Sequence, residues 1–255
     1  MRRLILGAVA IAITACAPSA RAGGDVTVSA AASLTEVMEQ IAADYEARTG
    51  DRVVLNFGAS NMLARQIAAG ARVDVFISAD EAQMDVVQAS ILSGSRVDLL
   101  SNQLAIAVPD DRRTHFASAR ALLDPAIRRI AIGDPAAVPA GVYAKTYLEQ
   151  IGIWPAIAPK IVPSGSVRLA LAAVENGAAD AALVYRTDIL AARRAHEAFV
   201  VPVGEGPRIV YPAAALVGPN PAGARRFMDL LRSADAARRF ERAGFMPLLH
   251  PHTTE

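Results

Sequence analysis

The chain has 255 residues, 53% hydrophobic and 20% charged, with 26 basic side chains against 25 acidic ones. That is a globular composition with room for one large domain or two smaller ones. A formal charge of +1 and only 5% aromatic residues exclude the basic face and the base-stacking platforms of nucleic-acid binding.

Residues 1–22 read as an export signal. Arg2 and Arg3 form a basic start, and residues 4–15 make an apolar run of about a dozen positions, too short to span a bilayer. Ala20-Arg21-Ala22 then supplies an A-x-A cleavage pattern. The mature chain is expected to begin near Gly23 and to lie in the periplasm. Cys16, the single cysteine, follows Ile13-Thr14-Ala15 in a run that resembles a lipobox. It is either a lipid anchor or a small apolar residue of a discarded signal, and in the second case the mature chain has no thiol and no disulfide. No other stretch is long and apolar enough to span a membrane.

Beyond the signal, strand-like and helix-like runs alternate. Val26 and Val28 alternate with Thr27 and Ser29, and a strand over 26–30 passes through Ala30-Ala31-Ala32-Ser33 into a helix over 34–48. A turn made only to reverse the chain takes Gly, Asn, Asp or Pro. Three alanines and a serine instead leave space for something to approach the backbone. The pattern continues as strand 53–57 and helix 61–69, strand 73–77 and helix 81–89, and strand 104–108. It resumes as strand 130–133 and helix 141–150, strand 160–162 and helix 167–176, and strand 181–184 and helix 187–194. Strand 209–217 and helices 222–231 and 234–242 close the chain. This rhythm predicts an α/β fold with mostly parallel sheets.

Several helices begin on small residues just after a strand. Ser33-Leu34-Thr35-Glu36 has the form of a capping box. Ser60, Pro139 with Ala140, and Gly165-Ser166-Val167 head three more. A helix N-terminus carries unpaired N–H groups and a partial positive charge, so it is a ready anion site once small residues let a ligand reach it.

A catalytic set is missing. His250 and His252 stand in the last six residues, where order is not expected, and His196 lies among Arg193, Arg194 and Glu197 on what reads as a solvated helix face. No G-x-S-x-G, H-E-x-x-H or G-x-x-x-x-G-K occurs. Ser33 and Ser60 have no evident histidine base, so no enzyme is expected. The carboxylates of Asp74, Asp80 and Asp85 admit a metal site, but Asp80 reads more simply as a helix cap. Tyr143 and Tyr147, at i,i+4, admit a pair of phenolate iron ligands or one face of a helix.

Four stretches carry a resemblance: AAASLTEVM, ARQIAAGARVDVFISAD, GDPAAVPAGVYAK and ALVYRTD. In this order, behind an export signal, they resemble the periplasmic molybdate-binding proteins of molybdate ABC importers, over about 25–245. The resemblance implies a two-lobed periplasmic-binding-protein (type II) fold, with two mixed sheets flanked by helices and two crossover hinge strands. Residues 25–101 and 218–250 would form lobe 1, and 102–217 lobe 2. It implies molybdate or tungstate held between the lobes without countercharge or cofactor, and a monomeric receptor that serves a membrane permease. Carried over by position, Ser33 and Ser60 would give hydroxyl and N–H donors, Ala140 and Val167 N–H groups, and Tyr185 its phenol. Two residues depart from the family pattern. Asn61 stands where small hydroxyl residues are common, and Arg186, where Gly or Ser is common, would put a cation near the mouth. The alternatives are a receptor for another oxyanion such as sulfate, an iron-complex receptor, or a periplasmic enzyme. The lack of a carboxylate–arginine set argues against phosphate, and a single cleft tyrosine argues against iron.

Overall fold

The computed structural model describes residues 24–249 apart from Arg113. The expected signal at 1–22, Cys16, His250 and His252 lie outside the described residues. The chain begins with three strand–helix units. β1 (Val26–Ala31) passes through a short 3-10 turn into α1 (Thr35–Thr49), β2 (Val53–Gly58) leads to α2 (Ser60–Ala68), and β3 (Val75–Ile77) leads to α3 (Glu81–Val86). β4 (Val97–Ser101) then hands over to β5 (Leu104–Pro109). The middle of the chain runs β6 (Ile130–Gly133), α4 (Pro139–Gln150), α5 (Trp154–Ile157), β7 (Ile161–Ser164), α6 (Val167–Glu175), β8 (Ala181–Tyr185), α7 (Arg186–Leu190) and β9 (Ala195–Val200). It closes with β10 (Tyr211–Ala215), α8 (Pro221–Leu231), α9 (Ala234–Arg242) and β11 (Met246–Pro247).

These strands form two sheets, in the orders β11-β4-β10-β3-β1-β2 and β7-β6-β8-β5-β9. Both are mixed rather than mostly parallel. Strands reached through a helix, such as β1 with β2 and β3, or β6 with β7 and β8, pair in parallel. The strands beside the two crossings arrive from the other sheet and pair antiparallel: β5 with β8 and β9, and β10 with β3 and β4. A parallel partner needs a long covering connection, whereas an antiparallel one does not.

Local pattern and long-range pairing differ at three places. The last helix of the middle segment stops at Leu190, and His196 lies on strand β9 opposite Val108, with Nδ1 3.3 Å from Asp110. Pairing with β5 overrides the polar, helix-like composition there. Strand β4 was not visible as a periodic run. Finally, β10 belongs to the first sheet, so residues 201–210 run between the two sheets. The two crossings are tied to each other. Ser101 Oγ donates to the Ile209 carbonyl at 2.7 Å, and the Val201 N–H donates to the Leu104 carbonyl at 2.9 Å.

Both faces of the first sheet are covered. Val75 and Ile77 of β3 join Ala213 and Ala215 of β10 in the main core under α1 and α8, while Phe76 and Ala214 point the other way, to Leu63, Ile67 and Met84 on α2 and α3. This is the two-residue period of a strand buried on both sides. Asp74, fully buried at the entry to β3, pins two elements. Its carboxylate accepts from the Thr27 N–H on β1 at 2.8 Å and from the Asn220 N–H at the head of α8 at 2.7 Å. Asp74→Ala leaves both N–H groups without a partner, so it should lower unfolding stability by about 2–4 kcal/mol, read as a drop in the urea midpoint. A midpoint within error of the parent would show that these bonds do not hold the strand.

Candidate functional site

The five positions singled out by resemblance come together in space. One small cavity between the lobes is lined by Ala31, Ala32, Ser33, Gly58, Ala59, Ser60 and Ala79 of the first lobe and by Val138, Pro139, Ala140, Val167 and Tyr185 of the second. Larger grooves exist, including one along the crossing segments at Gln103, Val203 and Pro207, but none of the helix heads lines it.

Each lining residue sits where a strand ends and a helix begins. Ser60 opens α2, Ala140 stands in the first turn of α4, and Val167 opens α6 behind its cap Ser166. In the first turn the backbone N–H groups have no intrahelical partner, so several such sets converge on one small space. The small side chains make the approach possible. At α4 the fit is tightest, since a Cβ on Gly141 would lie 2.0 Å from the Gly133 carbonyl oxygen. The helix head therefore rests directly on the end of β6.

None of the lining residues is charged. The polar side chains are two hydroxyls and one phenol. Ser60 Oγ accepts from the Ala79 N–H at 2.9 Å, which leaves its own proton to give. Tyr185 is buried, its hydroxyl has no hydrogen-bond partner, and burial pushes the phenol well above its ordinary pKa, so it remains a protonated donor. Ser33 does not act as a capping box. The cap position of α1 is Leu34, without a side-chain bond, and Ser33 Oγ instead meets Tyr211 Oη at 2.9 Å. Long-range packing has captured the hydroxyl that local pattern assigns to the helix. The cavity thus offers donors from both lobes, with neither a carboxylate to hold a cation nor a base to drive chemistry.

The other candidates resolve into structural roles. Asp80 caps α3 by accepting from the Gln83 N–H at 2.9 Å, Asp85 pairs with Arg96, and Asp74 holds β1 and α8. Among the described residues no cluster of histidine, cysteine and carboxylate could hold a metal ion. Tyr147 is in the core, and neither it nor Tyr143 lines the cavity. Arg186 does not put a free cation at the site, because its Nε pairs with Glu197 of β9 at 3.1 Å. Asn61 is buried beside Ser60, with its Oδ1 unpartnered.

Residues 26–246 match the family model of bacterial extracellular solute-binding proteins. The molybdate-binding protein ModA of Escherichia coli (strain K12) is 40% identical over 233 residues, covering 87% of this chain and 89% of that protein. The structure of the Azotobacter vinelandii periplasmic molybdate-binding protein superposes with a TM-score of 0.78 at 26% identity, covering 87% of this chain and 98% of that one. The sulfate-binding protein SubI of Mycobacterium tuberculosis H37Rv reaches the same TM-score of 0.78 at 16% identity, over 88% and 87% of the two chains, a likeness of fold.

One group at the site escaped the sequence reading because its members are distant in the chain. Arg168, next to Val167, lies with Nε 2.9 Å from the fully buried Asp188 Oδ1 and also pairs with Glu36 on α1, across the cleft. Asp188 in turn accepts from the Tyr185 N–H at 3.3 Å. Burial pushes the Asp188 carboxyl up to about 7, against the pull of Arg168 and of the Tyr185 N–H. In the unfolded chain it titrates near 3.8. The folded state therefore holds this proton more tightly, and the stability it contributes is full below about pH 4 and is lost as pH rises to about 7. Asp188→Asn should remove that slope. Melting temperatures of the two proteins compared from pH 4 to 8 should diverge in the parent's disfavour as pH rises, whereas parallel curves would contradict the assignment.

Proposed function

The chain belongs to the family of bacterial extracellular solute-binding proteins, and from that premise we propose that it is the molybdate receptor of an ABC importer. It is a binding protein rather than an enzyme. The observation that carries the ligand is the lining of the interlobe cavity: neutral donors, no carboxylate and no cation. A buried anion must have its lone pairs met or it costs several kcal/mol. Converging helix N-termini, two serines and a phenol meet them without a countercharge. Ser33, Ser60, Ala140, Val167 and Tyr185 are the contacts we assign to the oxyanion.

Such a lining selects a fully deprotonated tetrahedral dianion. Phosphate near neutral pH keeps a proton, which would face donors only and go unpaired at about 1–3 kcal/mol. Sulfate has no such proton, so only size discriminates against it. The longer metal–oxygen bonds of molybdate and tungstate fill a cavity that sulfate leaves loose. Because donors come from both lobes, the anion favours the closed arrangement by differential affinity, and that form is what the membrane permease would recognise. We assign residues 1–22 to export and take the receptor to act as a monomer beyond the inner membrane. Among the described residues no helix is long and apolar enough to cross a membrane.

Calorimetry with an anion panel tests the reading. Molybdate and tungstate should bind with similar strength, sulfate much more weakly and phosphate not measurably. Tight sulfate binding would move the protein to the sulfate receptors, and tight phosphate binding would require an acceptor in the cavity. Ser60→Ala should cost about 1.5–3 kcal/mol of molybdate binding, or roughly one to two decades of affinity. Unchanged affinity would remove Ser60 from the site.

A further inference from the structure

Tyr211 and Asn102 do not line the cavity, yet both are buried behind it and joined to Ser33. The order of the bonds can be worked out from donor counts. Asn102 Oδ1 accepts from the Gln103 N–H at 2.8 Å, which fixes the orientation of the amide. Its Nδ2 must therefore donate, and it reaches Thr187 Oγ1 at 2.9 Å and Tyr211 Oη at 3.3 Å. The Tyr211 oxygen is thus engaged as an acceptor. Its single proton has one neighbour to go to, Ser33 Oγ at 2.9 Å. Burial pushes the Tyr211 phenol far above its ordinary pKa, so the proton is retained. A serine that accepts from the phenol keeps its own proton free, and Ser33 is one of the cavity's lining residues.

We propose that Tyr211, oriented by Asn102, is a positioning residue that fixes the Ser33 hydroxyl as a donor toward the bound anion. The inference rests on the receptor reading above and deepens it. Two serines would otherwise be ambivalent, since a hydroxyl gives or takes a hydrogen bond with equal ease. Ser60 is made a donor by one backbone N–H, that of Ala79. Ser33 is made one by a chain of donors running Asn102 to Tyr211 to Ser33. Each serine oxygen already accepts one hydrogen bond, which leaves its proton for the anion. The chain also starts at the hinge: Asn102 lies in the first crossing, Thr187 on α7 of the second lobe, and Tyr211 on β10 of the first. The donor polarity of the site therefore depends on the two lobes being joined as they are.

A double-mutant cycle separates this role from a merely structural one. Molybdate affinity is measured by calorimetry for the parent, Tyr211→Phe, Ser33→Ala and the double variant, with melting curves taken without anion to confirm folding. Tyr211→Phe should weaken molybdate about tenfold in the parent background and less than about twofold on top of Ser33→Ala. Asn102→Ala, a second route to the same chain, should give a smaller loss of about threefold that also vanishes on top of Ser33→Ala. Losses that add in the double variants, or a Tyr211→Phe protein that binds within twofold of the parent, would overturn the proposal. A parent protein that leaves molybdate unbound would overturn the receptor reading itself, which keeps the two failures apart.

Discussion

The fold is organised around a buried space lined by helix heads, hydroxyls and a phenol, with no charged side chain. Full counter-ions would be the simple answer, but a buried ion pair costs desolvation on both partners and binds any anion of the right sign. Peptide dipoles at helix heads do the work differently. They are fixed by the helices behind them, need no reorganisation when the ligand arrives, and point along set directions. Each must be brought to the same small volume, which requires several strand–helix junctions to end at one place. That requirement accounts for the run of parallel strand–helix units in each lobe, for Ala30, Ala31 and Ala32 before Ser33, and for the close seat of Gly141 on Gly133.

A site divided between lobes also needs the lobes to be coupled. The crossings are short and bonded to one another through Ser101, Ile209, Val201 and Leu104. Buried polar groups continue from there to the cavity through Asn102 and Tyr211. On the other side of the site Arg168 links Asp188 of the second lobe to Glu36 of the first. The Arg168 Nε–Asp188 Oδ1 contact within the second lobe is not an aligned hydrogen bond, whereas the Arg168–Glu36 contact between the lobes is one.

Much of this was legible in the chain. Strand–helix alternation predicted the α/β class, and small residues at helix heads predicted an anion site, because both depend on neighbours a few positions apart. Resemblance supplied the five lining positions, and the structure places all five around one cavity. Asp80 was readable as a cap because capping is local. Ser33 shows the limit of the same logic: S-x-x-E has the form of a capping box, but a tyrosine 178 positions away takes the hydroxyl. His196 and its charged neighbours looked like a helix until β5 paired with them.

The sequence by itself determined what each segment prefers and what chemistry is present: periodicity, small residues at junctions, and no catalytic or metal-binding set. These follow from side-chain volume and from hydrogen bonds within a turn or two. Only the tertiary structure decided strand direction at the crossings, the membership of β10 in the first sheet, the pairing of Arg186 with Glu197, and the donor chain from Asn102 to Ser33. Each of these depends on groups far apart in the chain, whose meeting is fixed by packing two sheets around shared cores rather than by any local pattern.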